Sequence, residues 1–360
     1  MLASLLPIFA TLLMLWSPPE RLEGVALTAW LAVAVIGFGT ATTIFYVPYQ
    51  SLGAELTPDY HERTRLFGAQ QGTQLAGTLI AGVLQTVVMV HADEPREAAR
   101  VVAVFLGLFV AGSIGLTTWK VRERAEPEGR GGRSLVAALQ DVSRNRHARL
   151  LYAVLFVERM GLASLALVVP FYAKHVLEAA AYLPVFFVFF VVPGIALVPV
   201  IVKVSRRIGK LWLWRASLCA QAVGYLLLSI LGPGDLWLAC IFVTVVSFGS
   251  VSGQILAPSV QSDVIDYDEL RTGERKEGTY FAVQTFVGKV GFGVGPLLVG
   301  VLFQLTGFDP QGEMGRQAIF GMRILIGVQP AVGALLGAFI LLFFTLDEAE
   351  HARIRRALDG

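Results

Sequence analysis

Residues 257–300, APSVQSDVIDYDELRTGERKEGTYFAVQTFVGKVGFGVGPLLVG, hold the reading that decides the fold. The stretch closes one apolar helix, passes through a charged loop from Asp263 to Glu277, and enters a second apolar helix with one lysine, Lys289, in its middle. Counted from Thr279, Lys289 lies about ten residues in, or roughly 15 Å along a helix rising about 1.5 Å per residue. In a hydrocarbon layer about 30 Å thick, that is close to the midplane. A charge there costs on the order of 2.5–3.5 kcal/mol on insertion scales, so it is expected to serve a ligand or a partner.

Composition places the whole chain in the same environment. Of 360 residues, 55% are hydrophobic and only 16% are charged. The apolar residues come in runs of about twenty, which read as membrane-spanning helices because lipid offers the backbone no hydrogen-bond partners outside the helix itself. This excludes a soluble domain. Ten spans are expected, near 2–16, 25–50, 67–90, 99–119, 149–173, 182–202, 211–231, 236–258, 279–303 and 318–346. Residues 1–16 have no basic leader region and no small-residue cleavage site, so they count as a span. Cys219 and Cys240 lie inside apolar runs and imply neither a disulfide nor a metal site. No phosphate-binding glycine loop, Cys/His metal spacing or nucleophile with a base occurs, so an enzyme is not expected, and nothing points to nucleic acid.

The net charge of +2 is uninformative, but its distribution is not. With the first span starting in the cytoplasm, the inner segments hold Arg63 and Arg65, the basic run from Lys120 to Arg149, Lys203, Arg206, Arg207 and Lys210. They also hold Arg271, Arg275, Lys276 and the arginines of the tail. The outer loops hold only Arg21, Arg96, Arg100, Lys174 and Arg316, which places both termini in the cytoplasm by the positive-inside rule. Residues 120–147 read as a cytoplasmic linker between four spans (1–119) and six (148–346), followed by a cytoplasmic tail, 347–360. DYHERT at 59–64 and DYDELRT at 266–272 each follow a proline-bearing span and precede a glycine-containing one. This is the mark of a parallel duplication of six-span halves, the architecture of major facilitator transporters. The expectation is an all-α polytopic membrane protein of that fold, with about ten of twelve helices present and the first two missing.

VPYQSLGAELTPDYHERTRLFG (47–68) and QSDVIDYDELRTGERKEGTYF (261–281) resemble the glycoside–pentoside–hexuronide:cation symporter family. The resemblance runs from the first span to the last. It implies uptake of a sugar or glycoside coupled to Na⁺ or H⁺, with no other cofactor. It further implies that Lys289 lies near the sugar and cation sites, preceded by the polar Gln284 and Thr285, and that Thr43 lies near the cation. Asp263, Asp266 and Glu269 match an acidic cluster that closes an inner gate against bases of the other half: Arg63, and Arg206 or Arg207. The chain departs from the family's pattern at Tyr46, where well-studied members have aspartate, at Gln50, where they have tryptophan, and at Gln70–Gln71, where an arginine is common. The carboxylates of the first two family helices have no counterpart.

The residues themselves carry the same reading. Thr43, Tyr46 and Gln50 share one face of a span that Pro48 can bend. Lys289 follows Thr285 by one turn. Glu158 and Arg159 lie at mid-span but point about 100° apart, so each is expected to reach a different neighbour. Glu158 reads either as a coupling carboxylate or as half of an ion pair with Lys289 or Arg159. Arg215 and Arg323 read as snorkelling side chains without a role. The expected cavity is lined by Lys289, Thr285, Gln284, Glu158, Tyr46, Gln50 and Gln71, with Thr43 at the cation. The expected protein is a monomeric, inner-membrane secondary transporter of a small polyhydroxylated solute, working by alternating access. The alternatives are a symporter of lysophospholipid or another amphipathic solute, and a non-transporting truncated fragment or sensor.

Overall fold

The computed structural model describes residues 1–91, 94–121, 135–308 and 315–359, and among them every regular element is helical. The helices are α1 (Leu5–Trp16), α2 (Gly24–Glu55), α3 (Tyr60–His91), α4 (Pro95–Lys120), α5 (Leu135–Arg144), α6 (Arg146–His175), α7 (Leu183–Ile208), α8 (Lys210–Ser229), α9 (Leu236–Thr272), α10 (Glu277–Leu305), α11 (Arg316–Arg323), α12 (Gln329–Ile340) and α13 (Glu348–Asp359). A π-helical turn, Ile324–Val328, joins α11 to α12, so 316–343 runs as one apolar rod. Among the described residues, eight helices are long and apolar enough to cross a membrane, and a shorter apolar helix spans Leu2–Trp16. The 32-residue α3 completes the ten expected positions.

The expected loop from Asp263 to Glu277 is a correction. The helix continues without a break to Thr272, making α9 37 residues long. It stops at Gly273, whose φ of 70° is the left-handed conformation a glycine adopts without steric cost. The acidic residues stay helical because cations neutralise them: Asp268 pairs with Arg271 at 3.3 Å and with Lys276 at 3.5 Å. Part of the expected linker is helical as well. Asp141 of α5 meets Lys276 at 2.8 Å, while 122–134 lie outside the described residues.

The chain divides into two compact units. The first comprises Met1–Leu56 and Leu79–Glu128. In it α1 packs along α2 and α4, burying Ile8, Ala41 and Ile114 against Phe38, Phe45 and Val110. The Trp30 indole donates to the Met14 carbonyl at 3.0 Å and ties α2 to the end of α1.

The second unit comprises Thr57–Thr78 and Gly129–Gly360, so the first half of α3 belongs to it. Within it α6 packs along α10 and α12, α8 along α9 and α12, and α7 along α9. Backbone approach between α6 and α10 is close: a Cβ on Gly295 would stand 2.7 Å from Ala163 Cβ and 2.8 Å from the Met160 carbonyl. Small residues at such crossings replace a hydrophobic driving force that lipid cannot supply. Asn145 starts α6, its side chain accepting from the His147 and Ala148 amides, and its Nδ2 donates to the Tyr280 hydroxyl at 2.8 Å. The Tyr152 hydroxyl donates to the Tyr280 carbonyl at 3.0 Å, so cap and helix pair are locked together.

Candidate functional site

Glu158 and Arg159 sit near the middle of the 30-residue α6 and line a polar pocket of the second unit. Their side chains diverge, as adjacent helical residues must. The carboxylate of Glu158 turns to α9, where a Cβ on Gly253 would lie 2.9 Å from Glu158 Oε1 and 3.3 Å from the Trp214 Nε1 of α8. Gly253 leaves room for both. Glu158 thus faces α8 and α9. Arg159 runs the other way, its stem passing α10 where a Cβ on Gly291 would lie 3.2 Å from Arg159 Cβ and one on Gly288 would lie 3.9 Å from its Cγ. The positive charge of Arg159 lies within electrostatic reach of the Glu158 carboxylate.

The opposite walls are amides and hydroxyls that sequence reasoning missed. Gln221 Nε2 donates to the Tyr225 hydroxyl at 3.1 Å, and the buried Gln221 Oε1 accepts from no side chain or backbone group among the described residues. Gln254 Nε2 donates to Ser250 Oγ at 3.3 Å and its Oε1 accepts from Gln71 Nε2 at 3.3 Å. The structure therefore brings Gln71, Gln254 and Glu158 to one region. The legible signal was the spacing of four between Gln221 and Tyr225 and between Ser250 and Gln254 inside otherwise apolar helices.

The remaining expected cavity residues occupy two places. Thr43, Tyr46 and Gln50 lie on α2 in the first unit. Gln50 Nε2 donates to the Tyr46 hydroxyl at 2.6 Å, and Thr43 Oγ1 donates to its own helix at Gly39 O, 2.6 Å away. Gln284, Thr285 and Lys289 lie on α10 in the second unit. Thr285 donates to the Phe281 carbonyl at 2.8 Å, the Gln284 Oε1 is buried without a hydrogen bond among the described residues, and Lys289 is exposed in its unit.

A second polar centre, also within the second unit, joins α3, α8, α9 and α13. Arg63 Nη1 donates to Asp266 Oδ2 at 2.7 Å and to Asp263 Oδ1 at 3.1 Å, while its Nε donates to the Thr57 carbonyl at 3.0 Å. Lys210 Nζ donates to Asp263 Oδ2 at 2.8 Å and stands 3.4 Å from the centre of the Tyr60 ring, a cation–π contact. His351 Nε2 lies 3.1 Å from Asp266 Oδ2. Arg275 Nη1 reaches Glu269 Oε2 at 2.7 Å, and its Nε pairs with Glu277. Burial by itself would weaken the Arg275 charge; Glu277, Asp266 and Glu269 outweigh burial and raise its pKa above the ordinary value. Arg63, Lys210, Asp263 and Asp266 are each at most 1% exposed, so these charges are compensated by one another and not by water.

Three expectations change here. Arg206 does not join the cluster; its Nη2 lies 3.5 Å from the half-exposed Glu62. Arg207 is exposed. The second base is Lys210, which the break at Gly209 (φ 82°) turns into the unit while the two arginines stay on the outer face. His351 of the tail also joins the cluster, which no local pattern announced. Arg323 does not snorkel: its Nη1 and Nη2 donate to the Ser229 and Leu231 carbonyls at 3.0 and 2.9 Å, satisfying the open end of α8.

Apolar helices with polar side chains gathered at mid-span, and a buried ion cluster elsewhere, define a polytopic membrane transporter of the major facilitator fold. The fold is shared with the solved fucose:proton symporter of E. coli, with a TM-score of 0.69 over 96% of this chain and 83% of that one, at 14% identity. The family model described as MFS/sugar transport protein matches residues 1–348, and the chain belongs to that family. Among curated relatives, an uncharacterized symporter of Bacillus subtilis is 24% identical over 359 residues, covering 96% of this chain and 75% of the relative. A glucuronide carrier protein homolog of Escherichia coli is 24% identical over 334 residues, 90% of this chain and 72% of the relative. The protein is thus a multi-pass sugar transporter of the symporter class and not an enzyme.

Proposed function

We propose that this chain carries a polyhydroxylated sugar across the cell membrane together with Na⁺ or H⁺, as a monomer, by alternating access. The observation that carries the reading is the polar pocket at the middle of α6, α8 and α9, inside a member of a sugar-transport family. Amides and hydroxyls such as those of Gln221, Tyr225 and Gln254 match the alternating donors and acceptors of a sugar ring. Gln71, Gln284, Thr285 and Lys289 contribute further polar contacts in this reading, with Tyr46 and Gln50 on α2, and Thr43 serves the cation. Glu158 is the coupling carboxylate.

The buried ion cluster is the inner gate, made of Asp263, Asp266, Glu269, Arg63 and Lys210. The distribution of basic residues supports a cytoplasmic position for this end and for both termini. Coupling requires the cation to bind one conformation more tightly than the other, since equal affinity shifts no equilibrium. The test is uptake of radiolabelled sugars into liposomes containing the purified protein, under an imposed Na⁺ or H⁺ gradient. Gradient-driven accumulation above protein-free liposomes is expected. Uptake that ignores both gradients would reject symport.

A further inference from the structure

We propose that α5 is an interfacial helix that docks on acidic phospholipid, with its apolar flank in the acyl chains and the arginines at its end on the lipid phosphates. The inference is independent of what the protein transports. Asn145 alone separates α5 from the membrane span α6. Its amide donates to the Asp141 carbonyl at 2.9 Å while its side chain accepts from the His147 and Ala148 amides, which holds α5 at the entrance of α6. A helix fixed to the first turn of a span lies at the depth of the lipid headgroups. The end of the α12 rod marks the same depth. Arg146 Nη2 lies 3.5 Å from the Phe343 carbonyl, and Phe339, Leu342 and Phe343 are exposed apolar side chains beside it.

Successive residues of α5 point about 100° apart, which separates its side chains by role. Ala138 and Val142 are buried as the helix packs on α6 and α10. Val136 and Leu139 lie to one side of that contact and are 65% and 44% exposed in the unit. Arg144 lies to the other side, and Arg146 and Arg149 follow one turn apart at the start of α6; all three are exposed. An apolar flank beside basic residues binds a helix flat on a membrane, and each basic residue adds attraction to an anionic leaflet. Guanidinium forks match phosphate oxygens two at a time. Water satisfies the arginines but leaves Val136 and Leu139 uncovered, whereas acidic lipid serves both.

Docking has a route to the buried ion cluster. The Asp141 carboxylate accepts from Lys276 Nζ at 2.8 Å, and that ammonium stands 3.5 Å from Asp268 and 3.5 Å from Glu274. Arg275, its neighbour in the chain, reaches Asp266 and Glu269. Lipid that steadies α5 therefore steadies the junction between α9 and α10.

The experiment is hydrogen exchange of the full-length protein in nanodiscs, comparing phosphatidylcholine alone with phosphatidylcholine that contains phosphatidylglycerol. Amides of 135–144 should exchange at least about tenfold more slowly with phosphatidylglycerol, which corresponds to about 1.4 kcal/mol. Amides of 273–279 should gain protection as well. One variant carrying Arg144→Gln, Arg146→Gln and Arg149→Gln should lose both differences. Asp141→Asn should lose the gain at 273–279. Soluble glycerol phosphate, added to phosphatidylcholine nanodiscs, should protect neither segment. The wild-type comparison is decisive should a variant fail to fold. Equal exchange of 135–144 with and without phosphatidylglycerol overturns the proposal, as does protection that survives the triple variant. Protection by glycerol phosphate overturns the leaflet as the ligand and leaves a site for a free anion. Protection of 135–144 without any at 273–279 overturns the route to the cluster.

Discussion

Lys210 and Asp263 form a buried pair whose energetics can be dissected by a double-mutant cycle. The Nζ lies 2.8 Å from Asp263 Oδ2 with both side chains at most 1% exposed. Removing one partner of a buried pair costs about 3–5 kcal/mol, because the other charge stays behind without compensation. The two single variants should differ within that range. In Lys210→Met, Asp263 keeps Arg63 at 3.1 Å, so the loss belongs near the lower end, about 3 kcal/mol. In Asp263→Asn, the ammonium keeps the Tyr60 ring 3.4 Å away but loses its one charged contact within 4 Å among the described residues, so the loss moves towards about 5 kcal/mol. The double variant strands neither group, and should fall short of the summed single losses by about 2–3 kcal/mol. Cys240 is 3% exposed, so its reaction with a thiol reagent along a denaturant or temperature ramp reports opening of the second unit, with Cys219 replaced by serine. A double variant whose loss equals the sum of the singles to within about 0.5 kcal/mol would refute the pairing argument.

Gly295→Ala should cost about 1–3 kcal/mol, since its Cβ meets the Met160 carbonyl and Ser164 amide, which cannot swing away. Gly293→Ala on the same helix meets nothing within 4 Å and should leave the melting temperature unchanged. Arg323→Met removes two charge-assisted hydrogen bonds to the end of α8 and should lower stability by about 2 kcal/mol, read from the melting temperature in detergent. Asp59 accepts from the Glu62 and His61 amides at 2.7 and 2.9 Å and so caps α3; these bonds, the Glu62 one foremost, hold its carboxyl below the usual range. A folded-state pKa below the unfolded one contributes stability above about pH 4, and that contribution fades as pH falls through the folded value. Asp59→Ala should cost about 0.5–1 kcal/mol at pH 7, the lower part of the cap range because the residue is exposed, and nothing at pH 2. An equal loss at both pH values would show that the carboxylate is not the cap.

The helices were legible because a run of about twenty apolar residues has one stable form in lipid. Their ends were less so. Asp263 to Thr272 reads as a loop by its charges, yet those charges are what the helix uses, each of its carboxylates meeting a cation from outside the helix. Glu158 and Arg159 stood out as ions in an apolar run, and their divergence followed from helical geometry. What each one faces did not follow. Gln221, Tyr225 and Gln254 are ordinary polar residues until α8 and α9 turn them towards α6. In KVSRRIGK (203–210) four basic residues compete for one place, and the backbone at Gly209 gives it to Lys210.

From its residues alone, this protein had to be a bundle of membrane helices with ionisable groups held at mid-span, because hydrophobic runs and the cost of burying charge are properties of local composition. Which ion meets which could only be decided by folding. Arg63 and Asp263 are 200 positions apart, and His351 reaches Asp266 from the tail. Compensation between buried charges depends on distances of about 3 Å, which are set by how helices pack and not by neighbours along the chain.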